Sequence, residues 1–400
     1  MVNIALLGFG VVGSGTAQVL TQNKEIIEKK LGCEYCIKYI LDLRDFPESP
    51  FADKIVHDFN TILNDPEVSV VAEMMGGSHP AYEFTRACLE AGKNVVTSNK
   101  EVVSTFGVEL CSIAKQNGVR YLFEASVGGG IPIIRPLIND LSSNKVTRIS
   151  GILNGTTNYI LTSMRDSGAT FDDALRTAQK LGYAEANPSA DVDGIDAARK
   201  TVILSALASG KLIDPKTIHV EGITKITLED TRLAELLGFT IKLIGYTEIT
   251  DGGIVALVSP RMVPSTNPLC RIDGVFNGVL VDANMVGEVM FYGPGAGKLP
   301  TASAVVADVI DVISAMGKDV APIEWTAAAQ DDLADLGEYS CRRVFICKSG
   351  ACLPECVEVE RTVCIDGACA HLSKSDLSES ATAALCEQLG DSVVTTYRVL

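Results

Sequence analysis

Short apolar runs alternate with longer stretches of helical periodicity over the first 130 residues of the chain. Strands joined by amphipathic helices in this way are typical of βαβ units built around a parallel sheet. The pattern therefore predicts a doubly wound parallel sheet, of α/β class, in residues 1–130. The predicted strands are Asn3–Leu7, Ile37–Leu43, Val68–Met74, Asn94–Thr97 and Tyr121–Glu124, and the predicted helices are Gly15–Lys30 and Ala81–Ala91.

A different pattern follows the glycine triplet Gly128–Gly130. Helical segments come first and a run of strands follows, which predicts an α+β domain with an open sheet over residues 131–299. A further helix, Pro300–Met316, is expected to complete the first domain, to which we assign residues 300–318. The other predicted helices are Ile131–Leu141, Thr156–Arg165, Phe171–Leu181 and Ile195–Ser209, and the predicted strands lie around Thr240–Ile249, Gly253–Val258 and Val279–Met290.

Residues 337–400 form a third region, which we predict to be a small α+β segment. Its pattern indicates two strands, a helix at Leu377–Leu389 and a last strand at Val393–Val399.

Charge and hydropathy exclude several classes of function. The chain has 34 basic and 50 acidic residues and a formal charge of −16, which opposes binding to nucleic acid or to anionic lipid. No apolar run reaches the ~18 residues that a membrane span needs. The segment Met1–Gly8 lacks the basic start of a signal peptide, so a cytoplasmic protein is expected.

The 12 cysteines are unevenly placed, with seven of them between Cys341 and Cys386. Reduced thiols are the default in a long cytosolic chain. The spacings Cys352-x-x-x-Cys356 and Cys364 to Cys369 are looser than those of zinc ribbons. We therefore expect these thiols to be buried and reduced.

A GxGxxG motif at Gly8–Gly13 follows the first predicted strand and opens a helix. In that context Gly8 allows the tight turn, Gly10 lets a pyrophosphate approach the backbone, and Gly13 lets helix and sheet pack closely. The alternative is a purely structural glycine turn. The context favours a dinucleotide site and a Rossmann-type domain.

Two further positions lie at the carboxyl edge of the same predicted sheet. Asp42 could hold a ribose 2′-hydroxyl, whereas Arg44 could accept the 2′-phosphate of NADP or simply pair with a carboxylate. Lys100 follows the strand that ends at Thr97, where a lysine can reach a nicotinamide ribose or a carbonyl substrate. The choice between NADP and NAD stays open.

The segment Gly182–Lys200 combines several acids with a helix that begins near Gly194. Asp196 and Lys200 are four residues apart, so they lie on one helical face. A lysine beside a carboxylate can bind a carbonyl oxygen and pass a proton to it. Spacing alone equally fits a surface ion pair, but the apolar helix that follows is predicted to be buried, and buried polar groups need partners.

Several motifs together resemble those of homoserine dehydrogenases over roughly residues 2–318. The chain is identified as a member of the monofunctional form, since no kinase segment precedes Met1. The motifs are Gly8–Gly13, Thr97–Lys100, the run Glu124–Gly130, the run Gly151-Ile-Leu-Asn-Gly-Thr-Thr-Asn158, Gly182–Lys200 and Gly293-Pro-Gly-Ala-Gly297.

The resemblance implies roles for five polar residues. Lys200 matches the proton donor to the aldehyde, and Lys100 matches a second lysine near the nicotinamide. Asp196 matches the acid that positions the reacting end of the substrate. Glu185 and Asp191 match acids that hold the amino group of an amino-acid substrate.

The resemblance also implies a cofactor site and a cation site. A monovalent cation, usually sodium, would be bound by Glu124 with the backbone carbonyls of Val127, Gly129 and Ile131; this glycine-rich turn could equally be a structural hinge. The residues expected to contact NADP or NAD are Gly8, Phe9, Gly10, Val12, Gly13, Arg44, Gly77, Lys100 and Gly295.

The implied reaction is reversible hydride transfer between NAD(P)H and L-aspartate 4-semialdehyde, which gives L-homoserine for threonine and methionine biosynthesis. The expected partners are this small substrate and a second copy of the chain, in a homodimer or higher homo-oligomer formed through the second domain. Two alternatives are a dehydrogenase of another small amino-acid aldehyde and a non-catalytic dinucleotide-binding redox sensor.

The family often carries a C-terminal regulatory ACT domain, and the order of elements in residues 337–400 is compatible with a degenerate ACT-like module. The Asp-x-Pro-Gly turn that usually opens an amino-acid site in such modules is missing. We therefore expect weak regulation by threonine or none.

Overall fold

The computed structural model describes residues 1–400, which fold into 20 strands and 12 helices. The strands are β1 Val2–Leu7, β2 Tyr35–Leu41, β3 Ile55–Val56, β4 Val68–Glu73, β5 Asn94–Thr97, β6 Tyr121–Leu122, β7 Val146–Ile152, β8 Lys211–Leu212, β9 His219–Val220, β10 Phe239–Thr250, β11 Gly253–Pro264, β12 Phe276–Ala283, β13 Gly287–Pro294, β14 Thr326–Ala327, β15 Ser340–Cys341, β16 Arg343–Lys348, β17 Val359–Ile365, β18 Ala368–Ser373, β19 Leu377–Ser378 and β20 Val393–Val399. The helices are α1 Val11–Gln22, α2 Lys24–Leu31, α3 Phe59–Leu63, α4 Ala81–Glu90, α5 Lys100–Gln116, α6 Gly155–Ser167, α7 Phe171–Lys180, α8 Ser189–Val192, α9 Ile195–Ser209, α10 Leu228–Leu237, α11 Lys298–Ala315 and α12 Glu379–Leu389.

The first of two compact units comprises residues 1–143, 202–215 and 293–327. Its six parallel strands lie in the order β3-β2-β1-β4-β5-β6, which confirms the Rossmann-type sheet. Strands covered on both faces are apolar throughout, and β1 is buried from Asn3 to Leu7. The order reverses between β1 and β4, and open α/β sheets bind ligands at the carboxyl ends of such strands.

Two predicted helices of this unit differ from the structure. The helix predicted at Gly15–Lys30 is two helices, because Asn23 ends α1 and begins α2. The helix predicted at Ile131–Leu141 is shorter in the structure, where residues 134–140 are helical and Pro136–Asp140 form a π turn. Pro136 lies in the first turn, where its missing N–H costs no hydrogen bond, and the Leu137 N–H still donates to the Ile133 carbonyl at 3.1 Å.

Two further elements of the first unit differ from the prediction. The last parallel strand, β6, stops at Leu122, and Glu124 begins a 3₁₀ turn instead of ending the strand. The Glu124 backbone N–H donates to the Asp308 carboxylate at 2.7 Å, which removes it from the ladder. The long helix α5 carries no predicted counterpart, although Asn99 caps it by accepting the N–H groups of Glu101 and Val102.

The second unit comprises residues 144–201, 216–292 and 328–400. It contains a mixed sheet in the order β13-β12-β7-β10-β11-β20-β16-β18-β17, with β9 paired to β11. The hairpin of β10 and β11 pairs residue by residue from Phe239 with Pro264 to Thr250 with Gly253. The α+β class predicted for this region is confirmed.

Three predictions for the second unit are corrected by the structure. The strand predicted at Val279–Met290 is two strands, β12 and β13, separated by a turn that ends at Gly287 with a φ of +79°. The C-terminal segment has six strands where three were predicted, because β17 and β18 form a hairpin after β16 and the short strands β15 and β19 pair with each other. The helix α10 had no predicted counterpart.

The C-terminal strands continue the sheet of the second unit. The last strand, β20, pairs in parallel with β11 through Arg261 and Met262 and antiparallel with β16. The small α+β segment is therefore joined to β11 by main-chain hydrogen bonds.

The cysteines of this segment differ from the expectation of buried, reduced thiols. Cys364 and Cys369 face each other across the β17–β18 hairpin and form a disulfide. Cys352 and Cys356 are free and exposed.

No helix of the structure is both long and apolar enough to cross a membrane.

Candidate active site

The glycine motif forms the turn that joins β1 to α1. Gly8 has a φ of +92°, and a Cβ on Gly13 would lie 2.0 Å from the Gly8 carbonyl oxygen. A Cβ on Gly10 would meet nothing within 4 Å, and no side chain caps the N-terminus of α1. The first N–H groups of this helix are thus available to an anion, and this geometry fits a dinucleotide pyrophosphate.

The two apolar residues predicted to touch the dinucleotide lie differently. The Phe9 ring is buried and meets the Phe46 and Phe51 rings edge-on at centroid distances of 4.9 and 6.1 Å. The Val12 side chain is half-buried on the first turn of α1. The Phe9 ring therefore supports the glycine turn through its packing against these two rings.

The end of β2 places a carboxylate beside the glycine turn. Asp42 accepts the Phe9 N–H at 2.9 Å and two N–H groups of the Arg44 guanidinium at 3.0 and 3.1 Å. The Arg44 hydrogen bonds lower the pKa of Asp42 to about 2. The exposed Arg44 is paired with a carboxylate, and His57 Nδ1 donates to the Asp42 carbonyl at 2.7 Å.

The ends of β4 and β5 meet at the same edge of the sheet. The Asn99 side chain donates to the Gly77 carbonyl at 2.7 Å, which joins the loop after β4 to the start of α5. Lys100 is the first residue of that helix and is half-buried. Gly77 is exposed and has a φ of +76°. This edge brings Gly77 and Lys100 onto adjacent segments.

A cluster of four polar side chains, three of them buried and one half-buried, lies in the second unit. Lys200 Nζ donates to Asp196 Oδ2 and to the Leu153 carbonyl, both at 2.7 Å. Asn154 Nδ2 donates to the same Asp196 oxygen at 2.9 Å and to Asp191 Oδ1 at 2.7 Å. The predicted residues Asp191, Asp196 and Lys200 are therefore connected through Asn154.

Local sequence explains how this cluster forms. Asn154 is the N-cap of α6, and its Oδ1 accepts the Thr157 N–H at 2.9 Å, which orients the amide toward the acids. Gly194 has a φ of +83° and directly precedes α9. The i,i+4 spacing on α9 then sets Asp196 against Lys200, whose side chains are 6% and 9% exposed.

Glu185 lies apart from this cluster in its contacts. Its side chain is exposed, and its carbonyl accepts a hydrogen bond from the Gln179 side chain at 3.1 Å. The loop that carries it is anchored where Thr156 donates to the Tyr183 carbonyl at 2.5 Å. Glu185 is thus solvent-accessible on a loop tied to the start of α6.

The predicted cation turn is held by the Glu124 side chain. This buried carboxylate accepts the backbone N–H groups of Ile133, Ile134 and Arg135 at 2.7, 2.9 and 2.6 Å. Burial raises the pKa of Glu124. Its carboxylate oxygens therefore anchor the chain after the turn, so a cation here would depend on backbone carbonyls.

The predicted cation turn and the predicted cofactor loop at Gly295 are in contact. Gly128 and Gly129 have φ values of +75° and +54°, and a Cβ on Gly129 would lie 2.4 Å from the Gly295 carbonyl oxygen. The Gly130 N–H donates to the Pro294 carbonyl at 3.0 Å. The carbonyls of Val127 and Ile131 belong to the same turn, and an all-oxygen donor set suits a hard cation.

Two polar residues at these sites were missed by sequence reasoning. Asn154 stands in a motif that was recognised but was given no role. Glu73 ends β4 inside a predicted strand, where a fully buried carboxylate is unusual. A carboxylate inside a predicted buried strand was therefore the sequence signal that could have identified Glu73.

Comparison with known proteins identifies the relatives of this chain. A model of the homoserine dehydrogenase NAD-binding domain matches residues 8–124, and a homoserine dehydrogenase model matches residues 132–310. The homoserine dehydrogenase of Neisseria gonorrhoeae is 44% identical over 326 residues, which are 80% of this chain and 74% of that protein. The homoserine dehydrogenase of Bacillus subtilis is 41% identical over 318 residues, which are 79% of this chain and 73% of that protein.

Solved structures are similar too. A homoserine dehydrogenase from Thiobacillus denitrificans superposes with a TM-score of 0.90 at 34% identity and covers 100% of this chain and 98% of its own. A hyperthermophilic archaeal homoserine dehydrogenase in complex with NADPH has a TM-score of 0.67 at 30% identity. The match covers 78% of this chain and 97% of that one.

Proposed function

Since this chain belongs to the homoserine dehydrogenase family, we propose that Lys200, held by Asp196, is its proton donor. The protein is an NAD(P)-dependent oxidoreductase that interconverts L-aspartate 4-semialdehyde and L-homoserine. The observation that supports Lys200 is that its ion pair with Asp196 is buried. An exposed pair at this helical spacing contributes only ~0.3–0.5 kcal/mol to stability and has no need of burial.

In aldehyde reduction, Lys200 stabilises the negative charge that develops on the carbonyl oxygen and transfers a proton to it. In the reverse direction, Lys200 accepts the hydroxyl proton. Asp196 orients the lysine and balances its charge in a site with little water, where electrostatic interactions are strong. The dinucleotide supplies the hydride when bound.

The substrate's amino group would be bound by Asp191 and Glu185. Asp191 is half-buried and aligned by the Asn154 amide, whereas Glu185 is exposed on its loop. Two carboxylates suit an ammonium group and disfavour a sugar substrate. Lys100, at the carboxyl edge of the other unit's sheet, is proposed to act near the nicotinamide.

For the dinucleotide, we assign the pyrophosphate to the Gly8–Gly13 turn and the ribose to Asp42. Arg44 would leave Asp42 to meet a 2′-phosphate, which makes NADP usable, while the Asp42 carboxylate suits NAD. The loops that carry Gly77 and Gly295 are assigned as the remaining contacts to the dinucleotide.

A monovalent cation, sodium, is proposed at the turn of Glu124, Val127, Gly129 and Ile131, with backbone carbonyls as the main ligands. A homodimer is proposed through the sheet of the second unit. Its outer strand β13 exposes Tyr292, which stacks on the exposed Phe276 ring at 5.3 Å. An exposed aromatic pair on the last two strands of a sheet favours a protein interface there.

A spectrophotometric assay tests the catalytic assignments. The wild-type protein should reduce both NAD and NADP with L-homoserine, more rapidly in sodium buffer than in tetramethylammonium buffer. Equal activity in both buffers would contradict the cation site. Light scattering of wild type and Tyr292→Glu tests the dimer, which the substitution should dissociate.

A further inference from the structure

Glu73 is a buried carboxylate without a role in the reaction described above. It is the last residue of β4 and is 0% exposed. Its Oε1 accepts the Met75 N–H at 2.7 Å, and its Oε2 accepts the Thr97 hydroxyl at 2.6 Å. One side chain thus joins the ends of two neighbouring parallel strands.

The hydrogen bonds continue from Glu73 to both adjacent cofactor segments. The Thr97 hydroxyl accepts the Asn99 N–H at 2.9 Å, and the Asn99 amide donates to the Gly77 carbonyl at 2.7 Å. Asn99 also caps α5, which begins at Lys100. The positions of Gly77 and Lys100 therefore depend on the same three side chains.

No cation compensates this buried charge within hydrogen-bond reach. Burial raises the pKa of Glu73 to about 7. The ionisable group that faces it from β6 is the Tyr121 phenol, and Cys111 of α5 faces that phenol in turn. Burial raises the pKa of Tyr121 well above its usual range and that of Cys111 to about 12, so both stay neutral near pH 7.

The two protonation states of Glu73 support different hydrogen bonds. The ionised carboxylate accepts from both Met75 and Thr97, and a hydrogen bond from the Asn99 side chain also favours the ionised form. A protonated carboxyl must donate one hydrogen, and the Thr97 hydroxyl oxygen, which already accepts from Asn99, is the oxygen that Glu73 Oε2 contacts at 2.6 Å. The Thr97 hydrogen then loses its acceptor, which weakens the link between β4 and β5.

We propose that ionised Glu73 is a positioning residue that orders the Met75–Gly77 loop and the start of α5 for the dinucleotide. The proposal rests on the assignment of Gly77 and Lys100 as cofactor contacts. Cofactor binding favours the ionised form, so at low pH one proton leaves Glu73 for solvent as the dinucleotide binds. Affinity for the dinucleotide therefore rises as pH rises through neutrality.

NADPH fluorescence titrations of wild type and Glu73→Gln between about pH 6 and pH 8 test this proposal. The amide cannot ionise, so it represents the protonated state. The ratio of the two dissociation constants cancels the titration of the NADPH phosphate and of His57, whose pKa is raised by its hydrogen bond to the Asp42 backbone. The variant should match wild type near pH 6 and bind about tenfold more weakly near pH 8, since one pKa unit corresponds to tenfold.

Melting temperatures distinguish positioning from a structural role. Glu73→Gln removes a buried charge, so its melting temperature at pH 8 should equal or exceed that of wild type although it binds NADPH less tightly. A variant that melts lower and shows a ratio of dissociation constants independent of pH would overturn the proposal.

Thr97 variants provide a second test if Glu73→Gln folds poorly. Thr97→Val removes the donor to Glu73 and should move the midpoint of the pH dependence to higher pH, whereas Thr97→Ser keeps the hydroxyl and should restore the wild-type midpoint. An unchanged midpoint in Thr97→Val would also overturn the proposal. If Lys100→Ala binds NADPH as wild type does, the cofactor assignment fails instead, whatever the Glu73 variants show.

Discussion

The carboxyl edge of the first sheet and the Asp196–Lys200 cluster of the second unit present polar groups in opposite ways. The glycine turn offers backbone N–H groups at the start of α1 and excludes side chains, with a Gly13 Cβ 2.0 Å from a carbonyl oxygen. The Lys200 cluster offers buried side chains whose hydrogen bonds hold one another. Substitutions at the turn should therefore fail by collision, and those in the cluster by leaving buried charge without a partner.

The largest expected effect comes from removing the side chain that carries the proton. Lys200→Ala should lower kcat by ~10²–10⁴-fold, the usual contribution of a general acid, and leave NADPH affinity unchanged. Steady-state kinetics and NADPH titration measure both. Lys180→Ala, which removes an exposed lysine from α7, is the control. Retention of more than about a third of wild-type turnover would remove Lys200 from the mechanism.

Glycine substitutions test the backbone character of the other site. Gly13→Ala forces the new methyl group against the Gly8 carbonyl and should destabilise the fold by ~1–3 kcal/mol as well as weaken NADPH binding. Gly10→Ala has open space and should keep the wild-type melting temperature, yet weaken binding because its methyl group faces the pyrophosphate. Calorimetry and fluorescence titration separate the two effects. Equal melting temperatures for both variants would contradict the collision argument.

Arg44→Ala tests how the cofactor edge discriminates between dinucleotides. The substitution removes a bidentate partner for a 2′-phosphate and leaves Asp42 without its guanidinium. The kcat/KM with NADP should fall by about tenfold, while that with NAD should change little. A charge-assisted contact between Arg44 and the 2′-phosphate is worth ~1.5–3 kcal/mol, but Arg44 gives up its pair with Asp42 to form it, so the net loss is smaller. Equal losses with both dinucleotides would mean that Arg44 only pairs with Asp42.

The smallest expected effect lies at the exposed edge of the substrate site. Glu185→Gln should raise the KM for L-homoserine about three- to tenfold with little change in kcat, because an ammonium contact is lost equally in ground and transition states. Glu229→Gln, at an exposed position on α10, is the matched control. A fall in kcat with unchanged KM would place Glu185 in the chemical step instead.

Local periodicity and turn chemistry were sufficient for several features. The alternation of apolar runs with helices predicted the parallel sheet, and GxGxxG predicted the β1–α1 turn, because each depends on neighbouring residues. The helix Ile195–Ser209 and the i,i+4 pair on it were also predicted and are confirmed. These features use contacts within about one helical turn or one strand.

Other features failed because their partners are distant in sequence. The helix predicted to begin at Ile131 begins at residue 134 instead, where Glu124 accepts the N–H groups of Ile133, Ile134 and Arg135. Asn154 lies 42 residues before Asp196 along the chain. The Cys364–Cys369 disulfide joins residues only five apart, and it was missed for a different reason, because the hairpin that carries it was not predicted.

The sequence by itself determined the class of fold, the family and the residue types at the reacting positions, since these follow from patterns readable over short spans. Only the tertiary structure decided that Asn154 links Asp191 to Asp196 and that Glu73 joins two strand ends. A hydrogen bond between distant residues forms only after burial has excluded water from both groups. Its partner is therefore set by how the elements pack.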